Sequence, residues 1–324
     1  MPKVSVIVPN YNHSRYLVER LDSIFNQTFQ DFEVILLDDC SKDNSIEILT
    51  KYSKDPKVSH FVINKKNSGI PFIQWNRGIK LAQGEYIWIA ESDDKADLNF
   101  LEELVLILEK NINVGFAISM TNIIDANSNI IGNYDTNYNY SFENHKAIVE
   151  GKRFLIEKML TSNKIYNASS VLFRKSLIEQ VGYANESMTF SSDWLQWIRF
   201  LSVSDIAIFN KYLNYHRAHE DTDPYLEVFF KEYFTILCNL NHLNKRRLDN
   251  KISKTFVNDK IREAFYYLLK FDSFNWREKV VKSFIILKLN IHFANILLFF
   301  GCFFNFTKLE KRFYDNLLKR NKNL

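Results

Sequence analysis

Three carboxylates fall within four residues at positions 91–94, Glu-Ser-Asp-Asp, straight after the apolar run "YIWIA" at 86–90. Carboxylates this close raise one another's pKa and destabilise a fold unless a cation or hydrogen bonds intervene. In an E-x-D spacing at a strand end, Glu91 and Asp93 point the same way. Such a pair can chelate a hard divalent ion, Mg²⁺ or Mn²⁺, which takes oxygen ligands and keeps positions open for phosphates. The plainer alternative is a solvated acidic turn, with Asp93 or Asp94 capping a helix that starts near residue 99.

Three other stretches carry chemistry-bearing groups. In "LLDDCSKDNS" (36–45), Asp39 or Ser41 either shapes a turn and caps the next helix, or offers oxygen to a base N–H or a ribose hydroxyl. In "FSSDWLQWIRF" (190–200), Asp193 is either an N-cap or a general base held ionised at a helix start. In "NYHRAHED" (214–221), His216, Arg217 and His219 either lie solvated in a loop or bind a metal or a phosphate. Neither G-x-G-x-x-G nor G-x-x-x-x-G-K-[ST] occurs, which counts against a dinucleotide dehydrogenase and a P-loop NTPase.

The elements that must position these groups are legible in the periodicity. "KVSVIVP" (3–9), "FEVILLDD" (32–39), "VSHFVIN" (58–64) and "YIWIA" read as buried strands. Between them, 14–27, 43–53 and 71–83 have helical spacing, with Ser14 and either Asp43 or Asn44 as N-caps. Pro71 suits a helix start and Gly84 a helix stop. The order βαβαβαβ predicts an α/β fold, a mostly parallel sheet flanked by helices, with ligands beyond the carboxyl ends of the strands. Three of those ends are polar: Asn10 to Asn12, Asp38 with Asp39, and Glu91 to Asp94. Further on, 100–110, 151–160 and 194–203 read as helices and 114–125 and 168–174 as strands. The Asn/Tyr-rich 127–145 reads as a loop or weak hairpin. From about residue 225 the periodicity is helical almost throughout.

With 324 residues, 46% of them hydrophobic, the chain can bury a large core plus an appendage. Three scattered cysteines argue against a disulfide scaffold or structural zinc, and no signal peptide is visible, so a reducing, cytoplasmic setting is expected. The net charge of +4 hides an asymmetry. Residues 241–324 hold 18 Lys/Arg against 7 Asp/Glu, and residues 1–240 hold 24 against 31. A basic, aromatic tail on an acidic body points to an anionic partner. Residues 285–306 are long enough for a membrane span, but Lys288, Asn290, His292 and Asn295 interrupt them. Packing on the body, or lying in the membrane interface with flanking Lys/Arg on anionic lipid, fits better. Dispersed Lys/Arg without groove-reading motifs speak against nucleic acid.

Taken together, "VSVIVPNYN", "SIFNQTFQDFEVILLDDCSKDNS", "NSGIPFIQWNRGIKLAQGEYIWIAESDD", "SSVLFRKSLIEQVG", "SSDWLQWIRF" and "YHRAH" resemble the inverting glycosyltransferases of family 2. These have the GT-A fold, and the resemblance covers roughly residues 3–220. It implies a catalytic domain at 1–224, with a nucleotide-sugar half (1–110) and an acceptor half (111–224), followed by a basic helical C-terminal region (225–324). It implies that Pro9, Tyr11 and Asn12 border the nucleoside, that Asp39 accepts from a uracil-type base edge, and that Asn76 and Ser92 belong to the donor site. Glu91 and Asp93 match the ends of the metal motif, with Asp94 an additional candidate ligand. Arg217 and His219 match the element near the diphosphate, His219 as a further metal ligand. Asp193 matches the catalytic base. The departures are Glu91 for the commoner aspartate, Ser192 for the glutamate that often precedes the base, and Trp75 where many members carry arginine.

The resemblance implies a single displacement from a nucleotide-diphospho-sugar, expected to be a UDP-sugar, with Mn²⁺ or Mg²⁺ as cofactor. The acceptor would be a saccharide, expected to be lipid-linked, in cell-surface polysaccharide or O-antigen synthesis, with peripheral contact at the inner face of the cytoplasmic membrane. Two rivals stand beside it. A receiver-type signalling domain needs an aspartate ending the third strand, which here ends "VINKKN". A catalytically inactive nucleotide-sugar-binding protein would bind donor without turning it over.

Overall fold

The computed structural model describes residues 1–134, 138–160, 162–219 and a few helical positions between 228 and 240. In chain order the first half runs β1 (Val4–Asn10), α1 (Ser14–Phe25), β2 (Phe32–Asp38), α2 (Ser45–Tyr52), β3 (Val58–Ile63), α3 (Pro71–Leu81), β4 (Tyr86–Ile89), β5 (Lys95–Ala96) and α4 (Phe100–Lys110). The second runs β6 (Val114–Ile124), β7 (Ile130–Asn133), β8 (Lys146–Val149), α5 (Gly151–Phe154), β9 (Val171–Arg174), α6 (Ser176–Val181), α7 (Ser192–Leu201) and β10 (Asp205–Arg217). A π-helical turn, Leu155–Met159, extends α5, and a 3-10 turn, Ala168–Ser170, leads into β9.

One sheet carries all the strands, in the path β3-β2-β1-β4-β9-β6-β10-β5, with β7 on β6 and β8 on β10. The first four pair in parallel, as the alternating pattern predicts. β9 then runs antiparallel between β4 and β6, so β6 and its parallel neighbour β10 point the same way as β4. This geometry matters for function. The carboxyl ends of β1 to β4, β6 and β10 lie at one end of the sheet, where α/β folds bind ligands. Asn10 to His13, Asp38 to Ser41, residues 90–94 and Arg217 to His219 are gathered there.

Burial explains why these strands form. β1 and β2 are buried at every position, the near-continuous apolar run expected of a parallel strand covered on both faces. Leu17, Leu21 and Ile24 of α1 pack with Val4, Val6 and Val8, and Trp88 stacks on Phe100 of α4 with centroids 4.6 Å apart. The Asn/Tyr-rich stretch begins as a hairpin, β7 pairing antiparallel with β6.

The helix starts correct three cap assignments. Ser14 is the first residue of α1, and its N–H is donated to Asp43 Oδ2 at 2.8 Å. Asp43 Oδ1 also accepts from Ser45 N at 3.0 Å, so one carboxylate serves two helices. Burial alone would raise its pKa, but the bonds from Ser45 and Ser14 outweigh that and hold it at about 2. α4 is preceded by Asn99 and α7 by Ser191, so neither Asp93, Asp94 nor Asp193 occupies an N-cap position. The ends of β1 and β2 are tied by Asn12, whose left-handed backbone (φ 56°) lets its N–H reach Ser41 Oγ at 3.0 Å.

Residues 241–324, which hold the basic tail and the candidate span, lie outside the described residues. Among the described residues no helix is long and apolar enough to cross a membrane.

Gly84 does not end α3 through a left-handed backbone. It lies against β1, where an added Cβ would come 2.6 Å from Ser5 N and 2.7 Å from Val4 C. Backbone cannot give way as a side-chain tip can. Gly84→Ala is expected to lower stability by about 1–3 kcal/mol in urea unfolding, and an unchanged midpoint would contradict the close approach.

Candidate active site

The turn after β4 brings Asp93 against two imidazoles. Asp93 Oδ2 lies 2.7 Å from His219 Nε2, just past the end of β10. His13, just past β1, places Nδ1 2.8 Å from Ser92 Oγ and 3.9 Å from Asp93 Oδ1. The His13 and His219 rings stack, with centroids 6.0 Å apart and planes at 14°. Burial alone would raise the pKa of Asp93. The His219 bond and the charges of His13 and His219 outweigh it and hold the carboxyl at about 2, and the same bond raises His219. Sequence reasoning missed His13. Its only signal was its place, directly after a strand end that this fold class turns toward ligands.

Glu91 goes the other way. Burial, reinforced by the charge of Asp93, pushes its pKa to about 8, although Trp75 Nε1 donates to its Oε1 at 2.7 Å. The two ends of the E-x-D motif thus differ in protonation at neutral pH. Trp75, a departure from the family pattern, is the hydrogen-bond donor that turns Glu91 toward α3.

Asp94 is buried (1% exposed) and accepts from Asn167 Nδ2 at 3.0 Å, Ser169 Oγ at 2.7 Å and the Arg217 N–H at 3.0 Å. With its oxygens held this way it joins three chain segments and does not face the site. Arg217 is likewise placed differently from the expectation of a diphosphate contact. Its side chain is fully buried, donating to Asp93 O, Asp125 O, Glu19 Oε2 and Ser128 Oγ at 2.6–3.1 Å. A buried guanidinium must be paired, and these partners hold it inside the fold under Tyr16.

The other expected donor-site residues divide similarly. Pro9 is buried within β1 and Tyr11 is exposed at its end. Asp39 is buried, and it accepts from Asn64, from the N–H and hydroxyl of Ser68, and from Gln74 at 2.6–3.0 Å. It therefore organises the loop between β3 and α3 and has little acceptor capacity left for a base. Asn76 binds Ala184 O and N and Glu186 Oε1 at 2.9–3.0 Å, and so secures the loop 184–186.

Asp193 sits in the first turn of α7, half-buried, and Asn163 Nδ2 donates to its Oδ2 at 3.0 Å. Burial is the main cause raising its pKa to about 7, against bonds from the Trp194 N–H and Asn163 that lower it. That value suits a general base near neutral pH. One short stretch links it to the acidic turn: Asn163 bonds Asp193, while Asn167 and Ser169 bond Asp94. Four residues span at most about 14 Å of extended chain, so this stretch sets how far apart the two centres can drift.

The donor set can be tested against a divalent ion. Asp93 and His219 present a carboxylate and an imidazole side by side, a pair that suits Mn²⁺ or Mg²⁺ when phosphate oxygens complete the shell. Among the described residues no group of three His, Cys, Asp or Glu side chains is arranged to hold a metal ion. Glu91 is engaged by Trp75 and Asp94 by the fold, so the fit rests on two protein ligands.

The raised pKa of Asp193 has a signed consequence. A carboxyl with pKa about 7 folded and about 3.9 unfolded contributes stability that is complete below about pH 4 and lost as pH rises through about 7. Asp193→Asn removes that loss. Its Tm relative to the unsubstituted protein should therefore climb between pH 5 and pH 8, and a constant difference would contradict the raised pKa.

Comparison with known proteins agrees with this geometry. Residues 5–182 match the family model described as Glycosyl transferase family 2. The glycosyltransferase GlyG of Streptococcus pneumoniae is 32% identical over 230 residues, 66% of this chain and 70% of that one. A poly(ribitol-phosphate) beta-glucosyltransferase of Bacillus spizizenii is 43% identical over 96 residues, 28% of this chain and 15% of that one. The fold matches S. aureus TarS 1–349 in complex with UDP-GlcNAc, with a TM-score of 0.58 at 20% identity, over 83% of this chain and 73% of that one. The parallel half-sheet, the acidic turn after β4 and the extent of these matches lead to one conclusion: the chain belongs to glycosyl transferase family 2.

Proposed function

We propose that this protein transfers a sugar, with inversion, from a UDP-sugar to a hydroxyl of a lipid-linked saccharide in cell-surface polysaccharide synthesis. The observation that carries the proposal is Asp193, a half-buried carboxyl at a helix start with a pKa near 7. It is tied through one short stretch to the turn that bears Asp93 and His219. The UDP-GlcNAc bound to TarS and the substrate named for the B. spizizenii relative support the choice of donor and acceptor class.

Asp193 takes the proton of the acceptor hydroxyl as that oxygen attacks the anomeric carbon. The bond from that carbon to the phosphate oxygen breaks on the opposite face, and the nucleoside diphosphate leaves with the electron pair. Tyr11 and Asn12 at the end of β1 border the nucleoside, and the loop organised by Asp39 forms its wall. Asp93 and His219 would hold the divalent ion, which when bound offsets charge on the diphosphate as a Lewis acid. His13 faces the same space and can donate to a phosphate oxygen. The basic region 225–324 would rest on an anionic membrane surface on the cytoplasmic side, beside a lipid-linked acceptor.

Melting-temperature shifts with UDP-GlcNAc and UDP-glucose, with and without Mn²⁺, test the donor site, because a ligand stabilises in proportion to its affinity. Asp93→Ala should lose the Mn²⁺-dependent part of the shift. Asp193→Asn should keep the full shift and lose turnover by about 10²–10⁴-fold. A full shift without turnover in the unsubstituted protein would instead identify an inactive nucleotide-sugar-binding protein.

A further inference from the structure

The stretch leading into Asp193 is held from outside its own element. The side chain of Ser191, the N-cap residue of α7, makes no capping bond, and the first N–H groups of a helix need acceptors. Glu232 holds the segment that runs into this start, from Thr189 to the N-cap Ser191. Its carboxylate is buried (5% exposed) and accepts from three consecutive backbone amides: Thr189, Phe190 at 3.1 Å and Ser191 at 2.7 Å. The next residue, Tyr233, stacks on Trp194, the neighbour of Asp193, with centroids 5.5 Å apart and planes at 16°. Ser192 turns away and accepts from Asn185 N at 2.7 Å.

We propose that Glu232, which lies beyond the matched family region, is a positioning residue for Asp193: it fixes the entry to α7 and sets a negative charge beside the base. The proposal rests on the reading of Asp193 as base. A carboxylate near a helix N-terminus is favourably placed against the helix dipole. Among the described residues, the groups that act on Asp193 are Asn163 from the loop before β9, the N–H groups of its own helix start, and Glu232. Of these Glu232 raises its proton affinity through charge. The arrangement therefore couples the ionisation of the base to a side chain about forty residues downstream.

Glu232→Gln keeps an oxygen acceptor for the amides and removes the charge, whereas Glu232→Ala removes both. The stability difference between Asp193→Asn and Asp193 is measured against pH in the native and in the Glu232→Gln backgrounds, a double-mutant cycle that isolates the coupling. In the native background the difference should level off near pH 7, and in Glu232→Gln it should level off at a lower pH. Superimposable curves overturn the proposal. With UDP-GlcNAc as the probe, Glu232→Ala should also lower kcat for hydrolysis about ten-fold, with partial rescue in Glu232→Gln. Equal kcat in Glu232→Ala and the native protein removes the positioning role. If Asp193→Asn retains full turnover, the base assignment fails, while the stability cycle still decides whether Glu232 and Asp193 are coupled.

Discussion

Asp94 is the interaction on which the site depends. A carboxylate with 1% exposure must have its lone pairs satisfied, and its donors come from the 3-10 turn before β9, from Asn167, and from the backbone of β10 at Arg217. Those segments lie more than seventy residues away along the chain. Satisfying one charge therefore fixes the acidic turn, the lead-in to β9 and the end of β10 relative to one another. Arg217 extends the same network to Glu19 and to the backbone of Asp93, so the residue next to the anchor is held by its carbonyl while its carboxylate stays available.

Around that anchor, environment sorts similar groups into different tasks. Asp93 is held ionised by two imidazoles, Glu91 is driven toward protonation by burial, and Asp193 is poised near neutrality. Carboxyls with such divergent pKa values are the usual raw material of acid–base chemistry. Arg20 lies beneath this region. It is fully buried over the Trp88 ring at 4.8 Å, and among the described residues its guanidinium nitrogens have no hydrogen-bond partner. Burial lowers its pKa to about 10, and the charges of Asp94, Asp93 and Glu91 act to keep it protonated. A cation under three acids offsets part of the repulsion that the motif would otherwise impose on the fold.

The first half of the fold was legible because its signals are local. Apolar runs of strand length alternate with helical periodicity, and β1, β2 and β4 are buried throughout. The two-residue β5 and the antiparallel entry of β9 were not legible, since both depend on pairing across the sheet. In the site, the carboxylates could be named from spacing, but not which faced ligand. Asp39, Asn76 and Arg217 are drawn inward by partners at 64–74, 184–186 and 125–128 that no local pattern announces. His13 and Glu232 escaped for the same reason. A single histidine in a loop, or one glutamate in a helical run, acquires meaning only when the fold sets it beside Asp93 or the start of α7.

On the proposed reading, Asp193 activates the acceptor and the leaving group departs in one step, with inversion. The direct measurement is the anomeric configuration of the first-formed product when the protein turns over UDP-α-GlcNAc, followed by proton NMR before mutarotation. The β-anomer is the predicted product. Accumulation of the α-anomer would contradict a direct attack activated by Asp193.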